Sequence, residues 1–187
     1  MRLFLAINLP VDVRLAISAA VAPLRELAPE LAWVDESRLH LTLKFLGEQP
    51  PERVPDVSAA LATVATRHRD LLMELSGVGA FPNFRRARVV WMGVAQDARL
   101  ELLHHDVEVE CERVGFEVEG RPFRPHLTLA RVKHPLPEDR LRELGRAARR
   151  ISYRSEFIVR SIDLMQSDLS TAGSSYTTLV SAALRSG

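Results

Sequence analysis

Histidine and threonine stand two residues apart in His40-Leu41-Thr42-Leu43, and again in His126-Leu127-Thr128-Leu129. The copies are identical and lie 86 residues apart in a chain of 187. On a strand, successive side chains point to opposite faces. The two leucines of each copy therefore share one face, where they can anchor a core, and His and Thr share the other. Two such strands brought face to face put two imidazoles and two hydroxyls around one small space. Imidazole titrates near neutral pH, so one ring can take a proton while the other gives one. The hydroxyls can donate hydrogen bonds to an anion held between them. That set suits hydrolysis or transfer at a phosphodiester without a metal. A lone His-x-Thr-x is common on ordinary half-buried strands; its exact duplication in the two halves of a small chain is what points to chemistry. His and Thr at this spacing are not a ligand pair, and no HExxH or clustered Cys/His/Asp pattern accompanies them. Neither a metal nor another cofactor is expected.

Several elements must position these motifs. Residues 2–8 read as a buried strand closed by Pro10. Val13, Ile17, Ala20, Val21, Leu24 and Leu27 recur at three- and four-residue steps, predicting an amphipathic helix over 11–28. Trp33-Val34 is a short extended piece. The first motif strand covers 38–46, and a helix follows over about 52–68, delayed or interrupted by Pro55. Strands are expected at 71–78 and 88–95, with a loop between them, then a helix over 97–114 and a short strand at 116–119. The second motif strand covers 124–133, followed by a helix over about 138–149. Strands at 155–166 and 175–183 close the chain around a hairpin turn at 168–174 rich in Ser, Gly and Thr. Pairs of strands between helices argue for antiparallel or mixed sheets in an α+β fold. The simplest arrangement is one bilobal domain over 1–187, with two sheets, outer helices, one motif strand per lobe and both histidines in the cleft between.

Composition sets bounds. Hydrophobic residues make up 47% of the chain, enough for a sizeable core. A formal net charge of +1 gives no global polyanion signal, so any attraction to nucleic acid must be local. Cys111, the single cysteine, excludes an intramolecular disulfide and reads as inert core, fitting a reducing, cytoplasmic setting. The N-terminal apolar stretch meets Pro10 and Asp12 too soon for a signal peptide, and no apolar run suits a membrane span.

Other residues carry weaker signals. Phe81, Phe84, Arg85, Arg86 and Arg88 fall close together in the expected loop; interleaved aromatic and Arg side chains can stack on a base and reach a phosphate. The alternative is Phe plugging a core gap while the arginines stay solvated. Arg140, Arg142, Arg146, Arg149 and Arg150 follow Glu138 and Asp139 and interleave with Glu143. They read as a solvated face first and an RNA-backbone contact second. His104 and His105 lack a repeated partner and read as solvated.

The motifs with their flanks resemble a known family. Arg2-Leu3-Phe4-Leu5-Ala6-Ile7, the run from Leu39 to Glu48, Phe81-Pro82, Val90-Trp91, the run from Phe123 to Arg131, Leu169 and Tyr176-Thr177-Thr178-Leu179 are similar to the two-histidine phosphoesterase superfamily. The nearer match is its RNA 2′,3′-cyclic phosphodiesterase branch, historically called 2′-5′ RNA ligases. The resemblance covers nearly the whole chain and implies a bilobal, pseudo-two-fold fold. It also implies metal-free hydrolysis of RNA 2′,3′-cyclic phosphate ends to 2′-phosphates, with ATP-independent 2′-5′ joining as a related reaction. By analogy His126 is the proton acceptor and His40 the proton donor; in ligation the two would exchange. Thr42, Thr128 and Arg131 would hold the phosphate, with Phe81, Phe84, Arg85 and Tyr176 as further substrate contacts. Arg131 strains the simple reading. Alternation from His126 puts it on the leucine face, so either the strand ends or bulges after Ala130 or Arg131 acts by reaching round the edge; the alternative is a plain structural ion pair.

The expected partner is RNA with a 2′,3′-cyclic phosphate end, bound by a monomer with no obligate protein partner. Two other functions compete. One keeps the chemistry on a small cyclic nucleotide or a 2′-5′-linked oligonucleotide. The other is a module that binds RNA ends without turnover, against which two titratable groups argue.

Overall fold

The computed structural model describes residues 1–170 and 173–187. Chain order is β1 (Arg2–Asn8), α1 (Val11–Leu27), β2 (Ala32–Trp33), β3 (His40–Glu48), α2 (Val54–Arg67), β4 (Leu71–Phe81), β5 (Val89–Val94), α3 (Ala98–Arg113), β6 (His126–Arg131), α4 (Glu138–Arg149), β7 (Arg154–Val159), β8 (Ser161–Ser170) and β9 (Gly173–Ala183). Short 3-10 turns occupy Glu36–Arg38, Pro51–Arg53 and Phe84–Arg86.

The helices form where the periodicity places them. α1 buries Val13, Ile17, Val21 and Leu24. α2 starts at Val54, after the 3-10 turn, because Pro55 is tolerated only in a first turn, where its missing N–H has no partner to lose. The Asp97 carboxylate caps α3 by accepting from the Arg99 and Leu100 amides. Among the described residues no helix is long and apolar enough to cross a membrane.

The strands run β7-β4-β5-β6-β3-β1-β8-β9, with β2 added beside β6. Neighbouring strands pair antiparallel throughout. The two expected sheets are thus the halves of one sheet, and the motif strands form the seam. That seam is narrow: β3 and β6 share one register pair, Leu41 with Leu127. Beyond it β6 turns to β2, pairing Ala130 with Trp33 and Arg131 with Ala32. The motif strands therefore meet at one point, and the cleft opens on the face that carries both histidines.

The halves exchange strands. β4 follows the first motif in sequence but lies in the second half, between β5 and β7. β8 follows β7 in sequence but returns to the first half, between β1 and β9. The stretch 155–166, expected as one strand, is cut at Arg160 for this reason. An unbroken apolar alternation carries no mark of a change of sheet half.

Two further expectations are corrected. Residues 116–119 form no strand; two of their backbone groups meet side chains instead. The Lys44 ammonium donates to the Glu117 carbonyl at 2.8 Å, and the Glu119 amide donates to the Glu108 carboxylate at 3.0 Å. Gly79, Ala80 and Phe81, expected in a loop, extend β4. There Gly79 pairs with Trp91, whose indole lies 2.3 Å from where a Cβ on Gly79 would sit, so only glycine admits the ring. The closing hairpin pairs Asp168 with Ser175 and Ser170 with Gly173; the expected turn tip at 171–172 lies outside the described residues.

Candidate active site

The leucine face of both motifs is core. Leu41, Leu43, Leu127 and Leu129 are all buried, each a side chain whose burial contributes about 1.5–3 kcal/mol. The opposite face opens on a cleft of about 1180 Å³ lined by His40, Thr42, His126 and Thr128.

Both motif strands carry a β-bulge at the same place. Against β1, Leu5 pairs with Lys44 and Ala6 with Thr42, leaving Leu43 as the extra residue. Against β5, Val90 pairs with Ala130 and Trp91 with Thr128, leaving Leu129 extra. A bulge inserts one residue and reverses the side-chain parity beyond it. This resolves Arg131, one residue earlier than the expected break. After the bulge, Ala130 is buried and Arg131 lines the cleft with the histidines. In the first motif the same step buries Lys44 and puts Phe45 on the cleft, where it is 67% exposed.

The imidazoles are held alike. His40 Nδ1 lies 2.7 Å from the Arg38 carbonyl, and His126 Nδ1 lies 2.7 Å from the Arg124 carbonyl. A carbonyl only accepts, so Nδ1 carries the hydrogen and Nε2 is the nitrogen left for chemistry. His40 Nε2 lies 3.1 Å from the Thr42 hydroxyl oxygen.

Their surroundings differ. His40 sits between Phe4, with ring centres 5.0 Å apart, and Tyr176, edge-on at 5.3 Å. Burial pushes the His40 pKa down; the Arg38 carbonyl opposes this, and the positive charge of Arg131 lowers it further. His126 is met edge-on by Phe81 at 4.9 Å, and Phe81 in turn packs against Trp91. Phe81 and Tyr176 thus face one imidazole each from opposite halves of the sheet. The cleft lining includes neither Phe84 nor Arg85. Phe84 packs on α4, with Arg85 beside it in a separate groove, which corrects the expectation that they join Phe81.

Several cleft residues gave no usable signal in the sequence. Arg38 holds His40 through its carbonyl and donates from its guanidinium to the Ser174 carbonyl at 2.7 Å, tying the β8–β9 hairpin to the first motif. Phe45 could have been found only by expecting the bulge. His104, read as solvated, is largely buried, stacked on Phe123 at 3.8 Å. Burial lowers its pKa, partly countered by the carboxylate of Glu108. Glu108 itself forms a buried ion pair with Lys44 at 2.6 Å. Among the described residues no three His, Cys, Asp or Glu side chains converge as a metal-ligand set.

Fold and cleft together define a two-histidine phosphoesterase architecture. The chain matches the model of the 2′-5′ RNA ligase superfamily over residues 13–171, and it belongs to that superfamily. It is 34% identical to an RNA 2′,3′-cyclic phosphodiesterase of Thermus thermophilus, over 99% of this chain and 91% of that protein. An RNA 2′,3′-cyclic phosphodiesterase of Geobacillus stearothermophilus is also 34% identical, over 78% of this chain; the match spans 47%, about half, of that longer protein. The crystal structure of a Thermus thermophilus protein superposes with a TM-score of 0.77 at 32% identity, covering 100% of this chain and 99% of that one.

Proposed function

We propose that the protein hydrolyses RNA 2′,3′-cyclic phosphate ends to 2′-phosphates, with the two histidines as acid and base. The observation that carries this reading is the pair of imidazoles, each tethered through Nδ1 to the carbonyl two residues upstream, with Nε2 left for the cleft. The activity named for the relatives supports it.

His126 Nε2 takes a proton from water as the oxygen attacks phosphorus. The bond from phosphorus to the 3′-oxygen breaks, and His40 Nε2 gives its proton to that oxygen. The products are a 2′-phosphomonoester and a free 3′-hydroxyl. Solvent then returns His40 to its protonated state and His126 to its neutral one. Thr42 and Thr128 donate hydrogen bonds to the non-bridging oxygens, and Arg131 opposes the charge gained in the transition state. Burial disfavours the charged form of His40 in the free protein, so the bound phosphate anion supplies the field that lets it hold its proton. Phe81 and Tyr176 fix the ring orientations. Cys111, buried and pushed up to about 11, takes no part and suits a reducing, cytoplasmic setting.

The test is incubation with an oligoribonucleotide ending in a 2′,3′-cyclic phosphate, in EDTA and without nucleoside triphosphate, with the product identified by phosphorus NMR. A 2′-monophosphate that His126→Ala does not form is the expected result. A 3′-monophosphate, or unchanged substrate, overturns the reading. The rate should be bell-shaped in pH, between two apparent pKa values that belong to the pair.

A further inference from the structure

A second cavity, of about 480 Å³, lies outside the catalytic cleft and is walled by arginine. One wall is α4. Arg142, Arg146 and Arg149 stand at steps of four and three residues, which puts them on one face of the helix. Facing them is the 3-10 turn that carries Phe84 and Arg85. The turn is held firmly. The Asn83 side chain accepts from the Arg85 and Arg86 amides. Phe84 lies against Gly145, where an added Cβ would come within 3.1 Å of its ring, so the absence of a side chain there seats the turn on the helix. Ala80, Ala87 and Leu141 form a small core with it.

The charge is unbalanced. Among the described residues Glu138 is the one carboxylate in the lining, and it pairs with Arg142 at 2.9 Å. Arg85, Arg146 and Arg149 are exposed and, among the described residues, meet no carboxylate at ion-pair distance. Arg140, by contrast, turns away to Glu30. A chain with a net charge of +1 thus gathers four guanidinium groups around one groove. Planar guanidinium groups with paired donors match phosphate oxygens.

The groove and the cleft lie at the two ends of one short stretch of chain past β4. Phe81 lines the cleft beside His126, and Phe84, three residues on, lines the groove. Three residues of extended chain span at most about 11 Å, which bounds the backbone separation of Phe81 and Phe84 and puts the groove within reach of a short single strand of RNA. We propose that this arginine groove holds phosphates of the RNA strand leading to the cyclic end, and so makes the protein prefer oligonucleotides to cyclic mononucleotides. The proposal rests on the reaction proposed above and adds a site that this reaction does not require.

The experiment compares a cyclic mononucleotide with a single-stranded oligoribonucleotide ending in the same cyclic nucleotide. For Arg146→Glu/Arg149→Glu, KM for the oligonucleotide should rise about 10-fold or more, and the slope of its logarithm against log salt should fall by about two. Turnover of the cyclic mononucleotide should stay within about 2-fold, which also reports a folded cleft; the milder Arg146→Gln/Arg149→Gln should show the same pattern more weakly, and Arg85→Glu should add to it. An unchanged oligonucleotide KM and salt slope overturns the proposal. Equal losses on both substrates also overturn it, because they place the effect in the cleft or in folding. If the parent turned over neither substrate, the proposed reaction would fail by itself. Binding of the fluorescently labelled oligonucleotide, and its salt slope, would still judge the groove.

Discussion

The two halves of the cleft begin from the same four residues and the same bulge, and diverge at the two residues that follow. After His40-Leu41-Thr42-Leu43 come Lys44 and Phe45; after His126-Leu127-Thr128-Leu129 come Ala130 and Arg131. The buried slot holds a lysine paired with Glu108 in one half and a methyl group against the core in the other. The cleft slot holds an exposed aromatic ring in one half and a guanidinium in the other. Duplication supplies the symmetric parts, two imidazoles and two hydroxyls. The bulge supplies an asymmetric pair, one apolar and one cationic, and gives the cleft a direction. Arg131 makes its side cationic, and Phe45 makes the other apolar. His40, enclosed by Phe4 and Tyr176, sits on the apolar side, where burial lowers its pKa.

The largest effect should come from the buried slot. Lys44→Met strands the Glu108 carboxylate, which is 5% exposed, and should cost about 3–5 kcal/mol in urea unfolding. Adding Glu108→Leu should recover part of this, less what the Glu119 amide loses. A loss below about 1 kcal/mol would mean that the two buried slots are equivalent after all. Next come the imidazoles. His40→Ala and His126→Ala should each lower the rate at least about 100-fold, and a variant within a few-fold of the parent would remove that half from the chemistry. The cleft slot should show a smaller, unequal pair of effects. Arg131→Gln should lower kcat/KM about 10-fold or more through a lost charged hydrogen bond, whereas Phe45→Leu should act mainly on KM. Equal effects on both parameters would erase the direction assigned to the cleft.

The smallest effect is in titration. Arg131→Gln removes a positive charge that depresses His40, so NMR titration should show the His40 pKa rising; no movement would place Arg131 too far away to act on it. The same depression reaches stability. In the folded protein His40 and His104 resist protonation, and the unfolded chain binds protons first. Stability should therefore be full above the unfolded histidine value of about 6.5 and fall as pH drops below it. His104→Phe should flatten part of that slope.

How much the sequence tells depends on the range of the interaction that decides each feature. The helices and the leucine faces follow from local periodicity, so α1 and α3 stand where the spacing of Val13, Ile17 and Val21, or of Leu100, Leu103 and Val107, puts them. His40 and His126 are visible because they repeat. Arg131 and Phe45 need the bulge, which depends on pairing with β1 and β5 and leaves no trace in local spacing. Phe84 and Arg85 look like neighbours of Phe81 by sequence, but the end of β4 aims them at α4. Residues 116–119 look like a strand because Phe116 and Val118 alternate with charge; the Glu117 carbonyl and the Glu119 amide are claimed by Lys44 and Glu108, 73 and 11 residues away respectively.

The exchange of β4 and β8 has a consequence for how the chain reaches this shape. Neither sequence half can complete its own sheet, since each lends an inner strand to the other. β1 finds β8 only after nearly the whole chain has been made, so the first lobe cannot close during synthesis of the first half. Antiparallel pairing across such distances gives a high contact order, and folding should be slow for the chain's size. The first half made alone would present β1 and β3 with an unpaired edge, a template for aggregation. Supplied together as two polypeptides cut after β4, the halves should instead assemble into one particle, because each carries the strand the other lacks.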